Sequence, residues 1–185
     1  MLLMASIPCN GDNIMGRAST RLNKNIYQLR REELGLTREK ASDVMAAVSP
    51  ERIEKIESGK SLAHPDEVLA MADGYRMPEL CNYYCANECP IGRRYVPEIK
   101  VKDLSQIVLE MLASLNSMDR AKNRLIEITA DGSIEEDEIR DFVRIQEELE
   151  KISVTVETLQ LWVEKKLADK VINADLYNEH KKREN

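Results

Sequence analysis

The chain has 185 residues, a formal net charge of −6 and four cysteines, and aromatic residues make up only 4% of it. This length suits one long domain or two small ones, and the core must be mainly aliphatic. Helix-forming residues dominate and strand-like alternation is hard to find, which predicts an all-α protein and argues against sheet-based folds.

The N-terminal segment, residues 1–22, contains Pro8, Gly11 and Gly16 as breakers and is predicted to be a flexible arm. Its first residues carry no basic flank and only a very short apolar run, unlike a signal peptide. No stretch of the chain approaches the ~18 apolar residues of a membrane span. We therefore expect a cytoplasmic protein that does not associate with a membrane.

Residues 23–88 are predicted to form a helix-turn-helix domain that ends in a cysteine-containing helix. The expected helices run from about 25 to 33, from Thr37 to a turn near Ala46 to Val48, from Ser49 to Gly59, from His64 to Gly74, and from Met77 to about Cys85. Thr37 and Ser49 are suited to cap their helices, and Pro50 fits a first helical position. Gly59 is expected to end its helix in a left-handed conformation.

The segment resembles the Cro and phage-repressor type helix-turn-helix family, often called XRE, with its lambda-repressor-like bundle. The residues that carry the resemblance are Leu29, Arg30, Leu36 to Glu39, Val48, Ser49, Ile53 and Lys55 to Lys60. A wider segment, 35–99, is also similar to uncharacterised helix-turn-helix proteins from clostridial bacteria, including its cysteines. That second resemblance implies no known activity.

The first resemblance implies a DNA-binding transcriptional regulator that acts by occupying an operator. In this family the third helix lies in the major groove and its N-terminal residues touch base edges. The implied base-contacting residues are Ser49, Glu51, Arg52 and Lys55, and the implied phosphate contacts are Thr37, Arg38 and Lys60. A basic cluster before and within the first helix is the best candidate for a local DNA-binding face; it consists of Arg17, Arg21, Lys24, Arg30 and Arg31.

Some residues depart from the family pattern. Glu51 and Glu54 repel the phosphates that supply most nonspecific affinity. Ala47 stands where Gly is usual, in a turn that is one residue longer. The alternative interpretation is therefore a helix-turn-helix module retained as a protein-interaction adaptor that does not read DNA.

Three cysteines recur at intervals of four, at Cys81, Cys85 and Cys89. Three thiolates that converge can bind zinc or an iron-sulfur cluster, with Cys9 or His64 as a fourth ligand. The spacing matches no common zinc or ferredoxin motif, so small buried apolar residues remain an alternative. A redox-sensing disulfide between Cys85 and Cys89 is a third.

Beyond residue 88 the sequence predicts a linker, 89–100, then a helical hairpin, 101–172, and a polar tail, 173–185, that frays. Pro90, Gly92 and Pro97 are expected to prevent regular structure in the linker. The first arm of the hairpin carries an apolar stripe consisting of Leu104, Val108, Met111, Leu115, Met118 and Leu125. A capping box at Ser133 is expected to start the second arm, which continues to about Lys170.

The second arm has a heptad pattern, which indicates coiled-coil packing. Its two apolar rows are Phe142, Leu149, Val156 and Val163, and Ile145, Ile152 and Leu159. The two arms can bury each other within one chain. The longer second arm is also expected to project beyond the first, so that Leu161, Trp162 and Leu167 near its end need cover from the helix-turn-helix module or from a second chain in a homodimer. Residues 101–185 carry 13 basic and 19 acidic side chains, whereas residues 16–80 carry 11 of each, so the hairpin region is acidic.

The sequence shows no phosphate-binding glycine loop and no pair of histidine ligands. It also shows no catalytic set of Ser, His and Asp. The acidic residues between Asp131 and Asp141 lack the spacing of a calcium loop and suit a helix start. We therefore expect that the protein is not an enzyme.

Overall fold

The computed structural model describes residues 23–183, which form nine α-helices and one π-helical turn, without a strand in that range. The predicted all-α class is confirmed. The chain divides into two compact units, with the boundary between Ser61 and Leu62. The predicted arm, 1–22, lies outside the described residues, and the domain boundaries at residues 88 and 100 stay predictions.

The first unit contains three helices, α1 (Ile26–Glu33), α2 (Arg38–Met45) and α3 (Pro50–Glu57). Each starts with a side-chain cap: Asn25, Thr37 and Ser49 accept the backbone N–H of the residue three positions on. The predicted caps at Thr37 and Ser49 are thus confirmed. α3 packs against α2 and contacts α1.

Helix α3 ends as the sequence predicts. Gly59 has φ +70°, a left-handed value that favours glycine. Its N–H donates to the Ile56 carbonyl at 3.0 Å, and the Lys60 N–H donates to the Lys55 carbonyl at 2.9 Å. These two bonds form a Schellman motif, which satisfies carbonyls that the helix end leaves without partners.

The turn between α2 and α3 places its strain at a different residue from the one expected. Ala46, not Ala47, has a positive φ of 54°. The Ala46 N–H still donates to the Ser42 carbonyl at 2.8 Å, so α2 completes its last bond before the chain reverses. The turn therefore holds an alanine in a conformation that costs L-residues free energy.

The second unit contains α4 (Pro65–Gly74), α5 (Glu79–Tyr83), the π-helical turn Tyr84–Glu88, α6 (Gly92–Tyr95), α7 (Leu104–Ile128), α8 (Ile139–Ala168) and α9 (Ala174–Arg183). The predicted bounds of α4 are confirmed. The expectation that Pro90, Gly92 and Pro97 exclude regular structure is wrong, because α6 forms between the two prolines. Within the predicted polar tail, residues 174–183 form α9, which the Asn173 side chain caps by accepting the Leu176 N–H at 3.1 Å; the fraying of the tail stays a prediction.

Helices α7 and α8 form the predicted hairpin. An ion pair at 2.9 Å joins Arg124 of α7 to Asp141 of α8 near the connecting loop. α8 begins at Ile139 and not at Ser133, because the Asp131 carboxylate accepts the Ser133 N–H at 3.0 Å and holds a local turn instead. No helix among the described residues is long and apolar enough to cross a membrane.

The buried and exposed positions of the hairpin differ from the predicted stripes. On α7 the buried side chains are Ile107 and Ile128, whereas Leu104, Val108 and Leu115 of the predicted stripe are exposed. On α8 one heptad row faces inward, with Ile145 buried and Ile152 and Leu159 partly so. Two members of the other row, Leu149 and Val156, keep 46% and 41% of their surface exposed. Each helix thus carries more apolar surface than its partner in the hairpin covers.

Candidate nucleic-acid interface

Helix α3 has a buried face and an outward face. Ile53, Ile56 and Glu57 are buried, whereas Glu51 and Lys55 are exposed four residues apart and lie one above the other. Ser49 precedes this outward face as the N-cap, and Arg52 borders it, partly exposed. The structure therefore places the four predicted base-contacting residues along one helix, from the N-cap Ser49 to Lys55 in its last turn.

Two of these four residues also hold the local structure. The Ser49 hydroxyl accepts the Arg52 N–H at 3.3 Å. The Arg52 guanidinium donates through Nη1 to the Ser61 hydroxyl at 2.5 Å. Arg52 is therefore oriented by a polar partner within its own unit, and a base contact would have to use its other N–H groups or exchange this bond.

A buried carboxylate, Glu57, joins the three helices of the first unit. Its side chain is 1% exposed. Arg31 of α1 donates to it through two atoms, Nε at 2.5 Å and Nη2 at 3.0 Å, in a bidentate arrangement. Arg38 of α2 donates through Nε at 2.9 Å. Arg31 also donates through Nη1 to the Leu36 carbonyl at 2.6 Å, at the end of α1.

This network changes the roles of two predicted DNA contacts. Arg31 is buried, so it does not belong to the predicted basic cluster on the surface. Arg31 follows the buried Tyr27 by one helical turn and so lies on the same, inward face of α1. Arg38 commits its Nε to Glu57, although 37% of its side chain remains exposed. A phosphate contact by Arg38 would use a guanidinium that the protein already holds in place.

The remaining predicted phosphate contacts lie at the surface or at a helix start. Thr37 caps α2 through its hydroxyl oxygen. Arg30 pairs with Glu33 at 2.7 Å, and Lys60 pairs with Glu54 at 3.2 Å. The Lys60–Glu54 pair is exposed on both sides, and such surface pairs contribute roughly 0–1 kcal/mol, so a DNA phosphate can compete for Lys60. The Arg30 side chain is only 17% exposed. Of the predicted basic cluster, Arg17 and Arg21 lie outside the described residues, and Lys24 pairs with Glu32 at 2.6 Å.

The three regularly spaced cysteines are free thiols of intermediate exposure. Burial, and then the nearby Asp73 carboxylate, raise the pKa of Cys81. The Cys89 sulfur accepts the Gly92 N–H at 3.4 Å. Within residues 23–183, no group of three or more His, Cys, Asp or Glu side chains is arranged to hold a metal ion. Cys9 lies outside that range, so the zinc, iron-sulfur and disulfide hypotheses stay predictions.

The helix that carries Cys81 extends further than predicted. After α5 the chain continues as the π-helical turn, in which the Cys89 N–H donates to the Tyr84 carbonyl at 2.9 Å, five residues back. The Asn87 side chain donates to the Tyr83 carbonyl at 3.1 Å and supports the wider turn. Such turns often occur at functional sites, and nothing in the residue pattern indicated this one.

Comparison with known protein families identifies one region of the chain. Residues 28–81 match the family model of a helix-turn-helix domain. All eight residues predicted to contact DNA, from Arg30 to Lys60, fall within the match. The match agrees with a domain of the XRE type. No curated protein matches the chain, and no solved structure matches it.

Proposed function

We propose that the protein is a DNA-binding transcriptional regulator of the XRE type that acts by binding to an operator and not by catalysis. The helix-turn-helix match at 28–81 is the observation that carries this proposal. Helix-turn-helix domains place the second helix of the motif, here α3, in the major groove of DNA. A bacterial cytoplasm is the compartment in which such a regulator would meet its operator.

The outward face of α3 supports the proposal in chemical terms. Arg52 and Lys55 can donate to guanine, and Glu51 can accept from cytosine. Ser49 caps the N-terminal end of this helix, beside Glu51. Arg30, Thr37, Arg38 and Lys60 are proposed to contact phosphates and to set the orientation of α3 on the duplex. Because Glu51 and Glu54 repel phosphates, we expect low nonspecific affinity and a strong dependence on the correct bases.

Selection of bound duplexes from a random-sequence DNA library tests the proposal directly. We expect a selected duplex to bind at physiological salt more tightly than the roughly 10⁻⁴ to 10⁻⁶ M of nonspecific binding. Arg52→Ala should relax sequence preference, whereas Lys60→Ala should weaken all duplexes equally. Failure to enrich any sequence would remove operator binding and leave the alternative, a protein-interaction adaptor.

We further propose that two copies pair through the hairpin. At about 100° per residue, Leu104, Val108 and Leu115 lie roughly 60–100° around α7 from the buried Ile107. On α8, Leu149 and Val156 lie roughly 20–40° from the buried Ile145, rotated in the same sense. Because α7 and α8 run antiparallel, residues displaced from the contact between them in the same rotational sense, each viewed along its own chain direction, point to the same side of the hairpin. These five exposed side chains therefore share one face of the hairpin, whereas other exposed apolar residues, such as Leu109, lie outside it.

The size of this face suits a dimer of moderate affinity. Full burial of a Leu or Val side chain contributes about 1.5–3 kcal/mol, so covering five half-exposed ones contributes roughly 4–7 kcal/mol per copy. Association costs about 4–15 kcal/mol in lost freedom of motion, which two such faces can offset. Pairing would also serve DNA recognition, because helix-turn-helix dimers bind two half-sites.

Sedimentation of the full chain over a range of concentrations tests the pairing. Leu115→Lys with Leu149→Lys should shift the chain to monomer, because both charges enter the shared face. Leu109→Lys is the matched control, since Leu109 is exposed on α7 but lies about 120° around the helix from Leu115. A wild-type chain that stays monomeric at high concentration, or equal effects of both changes, would exclude this interface.

A further inference from the structure

A basic surface stands out in the second unit, on the segment between the π-helical turn and α7. Its exposed side chains are Ile91, Arg93, Arg94 and Tyr95, which we name the Arg93–Arg94 patch. Residues 89–97 contain no acidic side chain, and Glu88 and Glu98 border them on either side. None of these residues belongs to the helix-turn-helix match, which ends at residue 81.

The backbone beneath the patch is tightly held. Gly92 packs so closely against the π-helical turn that a Cβ there would lie 2.1 Å from the Cys85 carbonyl oxygen. Asn82 of α5 holds the other end of the segment: its side chain donates to the Pro97 carbonyl at 3.0 Å and accepts the Ile99 N–H at 2.8 Å. The two arginines are therefore carried on a fixed support, which lowers the entropy lost when they bind.

The chemistry of the patch fits the sugar-phosphate backbone of DNA. Arginine presents a planar fork of N–H donors that matches phosphate oxygens. The Arg94 guanidinium carbon lies 5.5 Å from the centre of the Tyr95 ring, and tyrosine hydroxyls are also common phosphate donors. Lys102, further along, is paired with Glu110 at 2.7 Å and is left out of the patch.

An anionic membrane surface would satisfy the same charges less well. Membrane-surface segments bury a long apolar helix face in the headgroup region. α6 has only four residues, and the patch offers only two large apolar side chains, Ile91 and Tyr95, at 72% and 71% exposure. These two side chains are too few to anchor the chain at a bilayer.

We propose that Arg93 and Arg94 form a second DNA contact that binds phosphates and reads no bases. This inference rests on the proposed operator binding and extends it to a site outside the helix-turn-helix domain. It assigns affinity to the patch and sequence preference to α3.

The test compares the full-length chain with an Arg93→Ala, Arg94→Ala variant on two duplexes, one selected for tight binding and one of random sequence. Each phosphate contact adds about 0.9 to the slope of log affinity against log salt, so the variant should lose about 1.8 of that slope. When the salt concentration rises from about 50 to 200 mM, the ratio of the wild-type affinity to the variant affinity should therefore fall roughly tenfold. The preference for the selected duplex should stay within about twofold, because phosphate contacts do not discriminate between sequences.

A matched control removes the same charge elsewhere. Arg140→Ala with Lys182→Ala takes two exposed cations from α8 and α9 and should leave the slope unchanged. If the wild type binds the selected duplex but the patch variant keeps the wild-type slope, the patch is excluded while operator binding stands. A larger loss on the selected duplex than on the random one would mean that the patch reads bases, against the proposal.

If the wild type binds neither duplex, operator binding and the patch contact both fail. Vesicles rich in phosphatidylserine form a second arm of the experiment. Capture of the wild type but not of the patch variant by these vesicles, without DNA binding, would assign the arginines to a lipid surface and overturn the proposal.

Discussion

Replacing Glu57 by Gln tests whether the buried network holds the first unit together. Glutamine keeps the shape of the side chain but removes the charge that Arg31 and Arg38 share. Glu57 is 1% and Arg31 is 8% exposed, so the change takes the bidentate carboxylate partner from a buried arginine and leaves Glu32, 3.9 Å away, as a more distant acid. Removing one partner of a buried pair costs about 3–5 kcal/mol. Arg38→Ala should cost only about 1 kcal/mol, because Arg38 is partly exposed.

Native-state hydrogen exchange of the α1 to α3 amides measures this loss locally. A cost of about 3–5 kcal/mol corresponds to exchange faster by roughly two to three and a half orders of magnitude. Glu54→Gln is the matched control: it makes the same chemical change on the exposed side of α3 and should cost less than about 1 kcal/mol. Joint replacement by Arg31→Met and Glu57→Leu should recover most of the loss, because no buried charge remains unpaired.

The result that would refute this reasoning is a Glu57→Gln variant whose exchange stays within about threefold of the Glu54→Gln control, which corresponds to less than about 1 kcal/mol. An Arg38→Ala variant as damaging as Glu57→Gln would also refute it. That result would place the main cost at the exposed arginine and not at the buried carboxylate.

Three further predictions concern single positions. Ala46→Gly should stabilise the first unit by about 0.5–1 kcal/mol in the same exchange experiment, because relief of the positive φ outweighs the added entropy of the unfolded chain. Iodoacetamide should label Cys81 more slowly in the folded than in the unfolded chain at pH 8, since burial and then Asp73 raise the pKa of its thiol. The labelling rate of the folded chain should rise with pH. Equal labelling rates in the folded and unfolded chains would contradict this prediction. The hydrogen bond from Arg124 lowers the pKa of Asp141 below 3.8. The pair therefore stabilises the hairpin above pH 3.8, and this stabilisation is lost as the pH falls through the pKa that Asp141 has in the folded chain. Thermal melts of Asp141→Asn should show a weaker loss of stability on acidification than the wild type.

Local chemistry explains which parts of the fold the sequence predicted. Thr37, Ser49, Pro50 and Gly59 act within three or four residues of themselves, so their roles as caps and stops follow from the residue types alone. The match to a helix-turn-helix domain agrees with that prediction.

The features that were missed depend on partners distant in sequence or on competing local bonds. Arg31 resembles a surface cation until Glu57, 26 residues away, meets it in the core. The predicted capping box at Ser133 is replaced by a local turn, in which the Asp131 side chain accepts the Ser133 N–H that the Glu136 side chain would have bound. The predicted apolar stripe on α7 is real as a pattern, but the pattern does not say which part of it α8 covers. Which residues touch DNA stays a prediction.

The division of α3 into two faces has a consequence for how its specificity can change. Ile53, Ile56 and Glu57 anchor the helix from below, and Glu51 and Lys55 take no part in that anchoring. The residues at the outward positions can therefore be changed in a library, or can change during evolution, with little loss in the free energy of unfolding. A designer seeking a new operator would vary the outward residues and leave the buried carboxylate untouched.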